Sequence, residues 1–389
     1  MEPARVSGAG SPGQRPRILL LIKCLGHGGA ERLLVDMARR GDRKAFDYEA
    51  AYVLRNEAGL VPAMRSTGTE VHALGARGNW DLSWLAELRR LLIRGRYDIV
   101  HAHLPYAASF ARLVARTLPR DSRPRLLYTE HSDWSWVAAP VRWLNRATIG
   151  YDDALIVVSD SVRDALPRSL QRRARVIVHG VDVSQSADLL ARRSQLQEEV
   201  RSELGVPDDC ALVLTVANLR QEKGYDVLLS AAKIVSDRGV AAWFVAVGYG
   251  PLADALVSVK SDLALGDRFN FVGRRDDVLR LMVAADMFVL PSHLEGLPVT
   301  LMEATSVGAA VVATSVGEVP RIITNGVDGL VVPPGDPEAL ADAIDRLVKD
   351  PAMRARLGEA AMALSERFDG ARATRQIEAI YRQVLDARP

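Results

Sequence analysis

Short apolar runs alternate with amphipathic segments along most of this 389-residue chain. The runs are rich in Val, Ile and Leu, and they predict buried strands. They lie at 17–25, 97–103, 125–130, 153–159, 175–180, 211–218, 243–248, 269–273, 287–292, 310–315 and 329–333. Helix-length segments such as GGAERLLVDMARR and GYDVLLSAAKIVSDRG separate most of them. Continuous apolar strands that alternate with helices predict parallel sheets with helices on both faces.

The strands and helices form two sets, which predicts two domains. A polar span at 182–209, rich in Ser and Gln, separates the sets and is expected to contain the hinge. The fold class is predicted to be α/β, with two Rossmann-like doubly wound parallel sheets facing a cleft. We assign a disordered tail to 1–16, an N-terminal domain to 17–190 and a C-terminal domain to 191–368. A last helix within 369–389 is expected to pack back on the N-terminal domain.

The composition indicates a globular protein without a global charge signal. Charged residues make up 25% of the chain and the formal net charge is +2, which predicts no nucleic-acid partner. Cys24 and Cys210 lie far apart beside apolar runs and are typical of thiols in a reducing compartment. Residues 1–16 lack the apolar core of a signal peptide, and no run approaches the length of a membrane span. The protein is therefore expected to be cytoplasmic.

The segment SHLEGLPVTLMEA, residues 292–304, leaves one predicted strand and enters a predicted helix. Ligands of doubly wound sheets bind beyond the carboxyl ends of the strands, so this segment is a candidate binding loop. Gly296 and Leu297 can present backbone N–H groups, and Pro298 suits a first helical turn. Such a helix start attracts phosphate through its unpaired N–H groups and its dipole.

Two carboxylates, Glu295 and Glu303, lie eight positions apart in the same segment. They cannot be phosphate ligands because like charges repel, but they can accept hydrogen bonds from sugar hydroxyls. The segment therefore predicts a site for a sugar attached to a phosphate. For either glutamate alone, an acidic residue that complements the helix dipole is an equally good interpretation.

Two cations follow the first strand of the C-terminal set, in the stretch VANLRQEKGYDVLLSA. Arg220 and Lys223 lie in its turn, at the edge of the sheet where a ligand is expected. Lys223 is one of only six lysines in the chain. Cations at this edge can neutralise a diphosphate leaving group and lower a barrier by several kcal/mol. A solvated turn is the alternative for either residue alone.

The N-terminal set carries a glycine pair and three histidines at corresponding places. Gly28 and Gly29 directly precede a predicted helix, although their spacing is not that of a dinucleotide-binding motif. His131 follows the strand RLLYTE and can hydrogen-bond a sugar hydroxyl or a substrate proton. His101 and His103 share one face of their strand, and zinc is a disfavoured alternative because no third ligand lies at a fixed spacing. The sequence has no Asp-x-Asp, so no divalent metal is expected.

Taken in order, these motifs resemble family 4 of the retaining glycosyltransferases, with its two-domain GT-B fold. The most specific match is Glu-x7-Glu, and GGAERLL, VHAHLP, TEHSDW, HGVD, EKGYDVLLSA and NGVDGLVVPPGDPEALADAI follow the expected order. The resemblance implies transfer of a sugar, with retained anomeric configuration, from a UDP-sugar or GDP-mannose. The acceptor would be a hydroxyl of a glycan or lipid-linked molecule in envelope polysaccharide or glycolipid synthesis. No metal or cofactor is implied.

The resemblance also implies roles for individual residues. The C-terminal domain would bind the donor and the N-terminal domain the acceptor. The catalytic candidates are His131, Lys223 and Glu295. The donor site would contain Gly28, Gly29, Asn218, Arg220, Lys223, Arg274, Val278, Glu295, Gly296, Leu297, Pro298 and Glu303. Lys223 would contact the diphosphate, Glu295 the transferred sugar and Glu303 the ribose, while the base would lie near 274–278. The acceptor side would contain His101, His103 and Trp134.

The sequence departs from the family in two places. Ala217 and Asn218 occupy the positions of the usual Gly-Arg, so the customary phosphate arginine is absent and Arg220 is the candidate to replace it. The stretch GEVPR introduces Glu318 and Arg321, for which the sequence predicts no role.

A candidate membrane contact lies in the stretch WDLSWLAELRRLLIRGR, residues 80–96. It combines an apolar face with a basic one, formed by Leu82, Leu85, Leu88, Leu92, Arg89, Arg90, Arg94 and Arg96. Such a helix can lie on an anionic membrane surface. An ordinary amphipathic helix that covers the sheet is the favoured interpretation. Trp134, Trp136 and Trp143 line an acceptor pocket or belong to the core.

Two other functions fit parts of the pattern. A sugar-nucleotide epimerase of the same fold needs acid/base carboxylates around the sugar and no acceptor pocket. A two-lobed sugar-binding protein is the third hypothesis, but those of the periplasm carry export signals. Product analysis distinguishes the transferase from the epimerase, because an epimerase acts on the donor alone.

Overall fold

The computed structural model describes residues 15–56, 58–181 and 184–387, which form two compact units. Unit 1 contains the described residues up to His179 and from Ala371 onward. Unit 2 runs from Gly180 to Gly370. The predicted tail at 1–16 lies outside the described residues, except for Arg15 and Pro16.

The described part of unit 1 contains one parallel sheet of seven strands with helices between them. The strands are β1 (Arg17–Ile22), β2 (Asp47–Leu54), β3 (Glu70–Ala76), β4 (Ile99–His103), β5 (Arg125–Glu130), β6 (Ala154–Val157) and β7 (Ala174–Val176). The helices are α1 (Gly29–Arg40), α2 (Val61–Ser66), α3 (Trp84–Gly95), α4 (Pro105–Arg116), α5 (Ala139–Thr148), α6 (Asp160–Asp164) and α7 (Arg168–Gln171). The strand order is β3-β2-β1-β4-β5-β6-β7, so the order reverses between β1 and β4.

The described part of unit 2 has the same plan with six parallel strands. The strands are β8 (Ala211–Val216), β9 (Ala242–Val247), β10 (Phe269–Phe271), β11 (Met287–Leu290), β12 (Ala310–Thr314) and β13 (Leu330–Val332). The helices are α8 (Ser184–Ala191), α9 (Arg193–Leu204), α10 (Tyr225–Asp237), α11 (Ala253–Asp262), α12 (Val278–Ala284), α13 (Val299–Ser306), α14 (Val319–Ile322), α15 (Pro337–Lys349) and α16 (Pro351–Leu364). The strand order is β10-β9-β8-β11-β12-β13, and it reverses between β8 and β11.

The last helix, α17 (Gly370–Asp386), belongs to unit 1 from Ala371 onward. Its buried side chains join the core formed by β1, β2 and α1; they are Ala373, Ile377, Ile380, Tyr381 and Val384. The carboxylate of Glu378 accepts hydrogen bonds from the Tyr48 hydroxyl and the Asp42 amide, both at 2.7 Å. Unit 1 is therefore built from two separate stretches of the chain.

The prediction of a hinge at 182–209 is wrong for most of that span. Apart from residues 182 and 183, which lie outside the described residues, α8 and α9 occupy most of it. Leu196 and Val200 are four residues apart, so they lie on one face of α9, and both are buried in unit 2. This narrow apolar stripe gives an otherwise polar segment a packed position, and the boundary between the units lies earlier, at His179 and Gly180.

Candidate functional site

The candidate donor site lies at the carboxyl edge of the unit 2 sheet. Strands β8 and β11 are neighbours there, and the strand order reverses between them. Doubly wound sheets bind ligands beyond the carboxyl ends of their strands, at the point where the strand order reverses. The turn Gln221–Lys223 follows β8, and residues 291–298 follow β11. Both loops predicted from the sequence therefore meet at one place.

Backbone contacts hold these two loops together. The amides of His293 and Leu294 both donate to the carbonyl oxygen of Glu222, at 2.9 and 3.2 Å. Gly224 closes the first loop with a left-handed φ of 66° and packs against the carbonyl of Pro291. The loops therefore have little freedom to separate, and the side chains they carry have fixed starting points.

Lys223 and Glu295, one from each loop, form an ion pair. The Lys223 Nζ donates to Glu295 Oε1 at 2.8 Å, and the Ser292 hydroxyl donates to the same oxygen at 2.7 Å. Glu295 is buried, whereas Lys223 is partly exposed. The pair brings together the cation and the carboxylate that the sequence predicted for this edge, and their contacts with a diphosphate and a sugar hydroxyl stay predictions.

Gly224 provides a test of this close packing. A Cβ at Gly224 would lie 2.0 Å from the Pro291 carbonyl oxygen, so Gly224→Ala must displace one of the two loops. Gly239→Ala is a matched control, because its φ is 68° but nothing lies within 4 Å of its Cβ. The control should cost unit 2 about 1–2 kcal/mol from the left-handed backbone alone. Gly224→Ala should cost clearly more in urea unfolding and should also reduce turnover; equal effects of the two substitutions would contradict this account.

The start of α13 lies four residues after Glu295, and phosphate binding there stays a prediction. Pro298 is extended at ψ 110° and precedes the first helical residue, Val299, so it caps the helix rather than entering its first turn. Gly296 and Leu297 lie between Glu295 and this cap. Glu303 lies within the helix and is buried.

The loop after β12 packs against the backbone of Glu295 and Gly296. A Cβ at Gly317 would lie 1.9 Å from the Glu295 carbonyl oxygen, and the Glu318 amide donates to the Gly296 carbonyl at 3.2 Å. Glu318 is buried, and Arg321 lies 3.6 Å from its carboxylate. Glu318, for which the sequence predicted no role, therefore holds the loop that carries Glu295.

The remaining donor candidates occupy the same edge in different ways. Arg220 is exposed and extended at φ −132°, and its amide donates to the Asn218 carbonyl at 2.9 Å. Arg274 follows β10, is exposed, and pairs with Asp276 at 2.8 Å. Val278 is buried in the core, so its side chain does not reach a ligand and only its backbone remains a candidate. Their contacts with a donor stay predictions.

In unit 1 three histidine rings lie together where β4, β5 and β7 end. His103 and His131 are joined by a hydrogen bond of 3.0 Å between His103 Nδ1 and His131 Nε2. His179 packs beside His131, with ring centroids 5.6 Å apart, and its Nδ1 donates to the Ile177 carbonyl at 3.1 Å. Sequence reasoning did not single out His179, although it lies just beyond the carboxyl end of β7.

His101 does not have its predicted place on the acceptor side. It is fully buried, and both ring nitrogens are engaged, Nδ1 with the Tyr381 hydroxyl and Nε2 with the Thr129 hydroxyl, each at 2.7 Å. The alternation that puts His101 and His103 on one face is correct, because their ring centroids lie 4.3 Å apart. His101 instead attaches α17 to the sheet, and it has no nitrogen left for zinc.

Trp134 is also a structural residue rather than a wall of an acceptor pocket. It is buried, and its indole N–H donates to the Glu130 carboxylate at 2.7 Å. Glu130 is fully buried and further accepts hydrogen bonds from the Tyr128 hydroxyl and from the amides of His131 and Ser132. Burial raises the pKa of Glu130, and these donors oppose that shift. The carboxylate thus fixes the segment that carries His131.

The glycine pair of unit 1 begins α1. Gly28 is the N-cap and Gly29 the first helical residue. A Cβ at Gly28 would lie 2.2 Å from a carboxylate oxygen of Glu31, which also accepts a hydrogen bond from the Cys24 thiol at 3.0 Å. The glycine at this position therefore leaves room for the buried Glu31 side chain. A contact with donor phosphate stays a prediction.

The described residues contain one group of three side chains with metal-ligand spacing, Glu49, Glu70 and His72. It lies on β2 and β3, away from the loops described above. Glu49 is already bonded to His72 at 2.8 Å, to Arg17 and to the Tyr97 hydroxyl. Arg17, His72 and Tyr97 therefore already share the carboxylate of Glu49.

Two family profiles match the chain. Glycosyl transferases group 1 matches residues 197–363, and Glycosyltransferase Family 4 matches residues 27–185. A D-inositol 3-phosphate glycosyltransferase of Frankia alni is 32% identical over 319 residues, which cover 75% of this chain and 75% of that protein. The chain belongs to glycosyltransferase family 4.

Two further likenesses agree with this glycosyltransferase family. Alpha-D-kanosaminyltransferase of Streptomyces kanamyceticus is 28% identical over 328 residues, which cover 80% of this chain and 84% of that protein. The solved structure of Anabaena HepE in complex with UDP and glucose has a TM-score of 0.80 at 22% identity, covering 95% and 100% of the two chains. The predicted family and GT-B fold are confirmed, and the epimerase alternative is not favoured.

Proposed function

We propose that this glycosyltransferase moves a sugar from a nucleotide donor to a hydroxyl of a glycan or lipid-linked acceptor, retains the anomeric configuration and needs no metal. The observation that carries the proposal is the Lys223–Glu295 pair, held beside the start of α13 at the strand reversal of unit 2. The complex of HepE with UDP supports a uridine donor, so a UDP-sugar is the first choice and GDP-mannose the alternative.

Donor binding would divide between charge and hydroxyl recognition. The diphosphate would lie at the amino end of α13 and against Lys223, where unpaired N–H groups, the helix dipole and an ammonium all favour negative charge. Glu295 would accept hydrogen bonds from the transferred sugar, and Glu303 from the ribose. Arg220 is exposed and lies three residues before Lys223. We propose that it replaces the phosphate-binding arginine that the family usually has at the position of Asn218.

The reaction would proceed through a loose, oxocarbenium-like transition state. The bond between the anomeric carbon and the phosphate oxygen breaks as the acceptor oxygen forms a bond on the same face of the sugar. The acceptor proton passes to a phosphate oxygen of the leaving group, so the products are the glycosylated acceptor and a nucleoside diphosphate. Lys223 stabilises the charge that develops on that group, and orientation of the reactants supplies much of the acceleration.

Nucleotide titration and product analysis test this function. UDP should raise the melting temperature more than GDP, and at about 100 times its Kd it should add about 2.7 kcal/mol to the free energy of unfolding. A UDP-sugar with an acceptor should give a glycoside that keeps the anomeric configuration of the donor, and EDTA should leave the rate of sugar transfer unchanged. Preference for GDP-mannose would change the donor, whereas strict dependence on Mn²⁺ would contradict charge compensation by Lys223.

The structure shows which apolar residues of the segment 80–96 remain exposed for a membrane contact. Leu88 and Leu92 are buried, because α3 packs on β3 and α4, so half of the proposed apolar face is turned inward. Trp80, Leu82 and Ile93 remain exposed, and Trp80 is 86% exposed. No described helix of the chain is long and apolar enough to cross a membrane.

We propose that these three apolar residues and the exposed arginines of α3 contact an anionic membrane surface. Replacing Arg89, Arg90 and Arg94 together with Gln should abolish cosedimentation with phosphatidylglycerol vesicles at low salt, since each basic residue adds about 1 kcal/mol near such a surface. Replacing Lys233, Lys260 and Lys349 of unit 2 with Gln is the control of equal charge. Failure of the wild type to bind these vesicles at low salt would remove the membrane proposal.

A further inference from the structure

The buried ring of His103 has an incomplete set of hydrogen bonds. Its Nδ1 bonds to His131 Nε2 at 3.0 Å, whereas its Nε2 is buried and has no hydrogen-bond partner. His103 is 1% exposed, and burial lowers its pKa well below the usual value, so the ring is neutral and carries one proton. The ring nitrogen of His103 that carries this proton determines the tautomer of His131.

Two arrangements satisfy the bond between the rings. If His103 carries its proton on Nδ1, it donates to His131 Nε2, and the bare Nε2 of His103 is a buried acceptor. If His131 donates instead, the proton of His103 must be on Nε2, where it becomes a buried N–H without an acceptor. Orphaned buried N–H groups are rarer than under-satisfied acceptors, which favours the first arrangement.

The first arrangement determines the tautomer of His131. Its Nε2 accepts the bond from His103, so its own proton must be on Nδ1. Burial and the neighbouring His103 lower the pKa of His131, so the ring is neutral as well. The nitrogen that remains for a ligand is therefore an N–H donor.

We propose that His103 is a positioning residue that holds His131 as the Nδ1–H tautomer, and that His131 donates a hydrogen bond to substrate oxygen. This inference rests on the proposed function, for which the sequence predicts His131 as a catalytic candidate. A neutral imidazole with its proton on the outer nitrogen can donate to a hydroxyl or phosphate oxygen, but it cannot remove a proton there. His131 is thus not the general base, and the acceptor proton must leave by another route.

The other buried rings have different duties. His179 donates through Nδ1 to a backbone carbonyl, so its Nε2 is a bare acceptor. His101 bonds to Thr129 and Tyr381 and has no hydrogen bond to His131. Of the three buried histidines around His131, His103 is the one that bonds to its ring.

The tautomer can be read directly by NMR in the full chain. The protein has seven histidines, so long-range ¹H–¹⁵N correlation of ¹⁵N-histidine-labelled protein is tractable, with His131 assigned by its loss in His131→Gln. Wild-type His131 should show a protonated Nδ1 and a bare Nε2. A protonated Nε2 would overturn the proposal, whatever reaction the protein catalyses.

Two substitutions of His103 separate positioning from packing. His103→Leu should release the His131 tautomer and lower kcat about tenfold, as loss of an orienting partner does at other histidine sites, with the donor KM unchanged. The melting temperature should change little, because the lost hydrogen bond to His131 is offset by replacing a buried polar ring that lacks one partner with an apolar side chain. His103→Asn places an amide N–H near the former Nδ1 and should restore both the tautomer and most of kcat.

The control is His101→Gln, which replaces the histidine whose ring lies beside that of His103. It should lower the melting temperature through lost bonds to Thr129 and Tyr381, yet leave the Nδ1–H form of His131 in place. An unchanged tautomer and full kcat in His103→Leu would refute the positioning role. Absence of sugar transfer by the wild type with every UDP- and GDP-sugar would instead refute the proposed function, and the NMR result would still decide the tautomer.

Discussion

Lys223→Ala is expected to lower the rate of sugar transfer by about 10²–10³-fold, the usual effect of removing one preorganised charge-stabilising donor. Lys223 is held at 2.8 Å from Glu295 before any donor arrives, so its ammonium needs little reorganisation to meet the leaving diphosphate. The effect should fall on kcat, because charge on that group develops as the glycosidic bond breaks. UDP affinity, measured by calorimetric titration, should also fall, since the product carries the same diphosphate.

Lys233→Ala is the matched control for this experiment. Lys233 lies in α10 of the same unit, where it pairs with Asp237 on the surface, and such pairs are worth only a few tenths of a kcal/mol. Both variants change the net charge equally, so a general electrostatic effect would appear in both. Lys223→Ala should lose about 1–2 kcal/mol of stability at most, because Ser292 still donates to Glu295. Full turnover in Lys223→Ala would remove this lysine from the mechanism.

Acid is expected to destabilise unit 1 steeply between pH 6.5 and about 4. Burial, and then the nearby His179 and His131, lower the pKa of His101 to about 3, and burial lowers the pKa of His179 to about 4. In the unfolded chain both titrate near 6.5. Below that pH the two histidines bind protons in the unfolded state but not in the folded state. Stability that is present above pH 6.5 is therefore lost as the pH falls. At pH 4.5 the two groups together remove several kcal/mol, a large share of the stability of a typical domain.

Urea unfolding at several pH values checks this expectation. Five of the six tryptophans lie in unit 1, so their fluorescence reports mainly on that unit. Burial raises the pKa values of Glu130 and Asp152, and these groups offset part of the loss by binding protons in the folded state. The contribution of His179 to the pH dependence of the unfolding free energy therefore comes from comparing the wild type with His179→Asn. Asparagine keeps a hydrogen-bond donor near the place of Nδ1 but does not titrate.

The expected difference between wild type and His179→Asn is about 1 kcal/mol for each pH unit between 6 and 4.5. His293→Asn, which changes a partly exposed histidine of unit 2, should leave the slope for unit 1 unchanged. Parallel curves for wild type and His179→Asn would show that His179 is not held neutral by the fold.

Most of the fold could be predicted from the sequence because buried parallel strands have a strong local signal. All the apolar runs correspond to strands, from β1 to β13, and the alternation with helices determines the doubly wound plan. Strands β2 and β3 were not predicted. DYEAAYVL begins with polar residues and alanines, and EVHALGA forms an edge strand with alternating exposure. Such segments depend on their neighbours for burial, which a single sequence does not reveal.

The residues at strand ends could be predicted, but the partners of their side chains could not. Lys223 and Glu295 are 72 positions apart, and their ion pair follows only from the adjacency of β8 and β11. His101 and Trp134 carry polar atoms near the predicted acceptor edge, yet those atoms are used internally, by Tyr381 and Glu130. A polar residue at a strand end is a good candidate for function only when the fold leaves one of its atoms available.

The return of α17 to unit 1 has a consequence for biosynthesis. The ribosome completes the whole of unit 2 before it makes the five core side chains that α17 contributes to unit 1. Although it begins first, unit 1 must wait with part of its apolar surface open until translation nears residue 386, whereas unit 2 can fold on the emerging chain. A premature stop after residue 370 should therefore yield an intact second unit attached to an aggregation-prone first one.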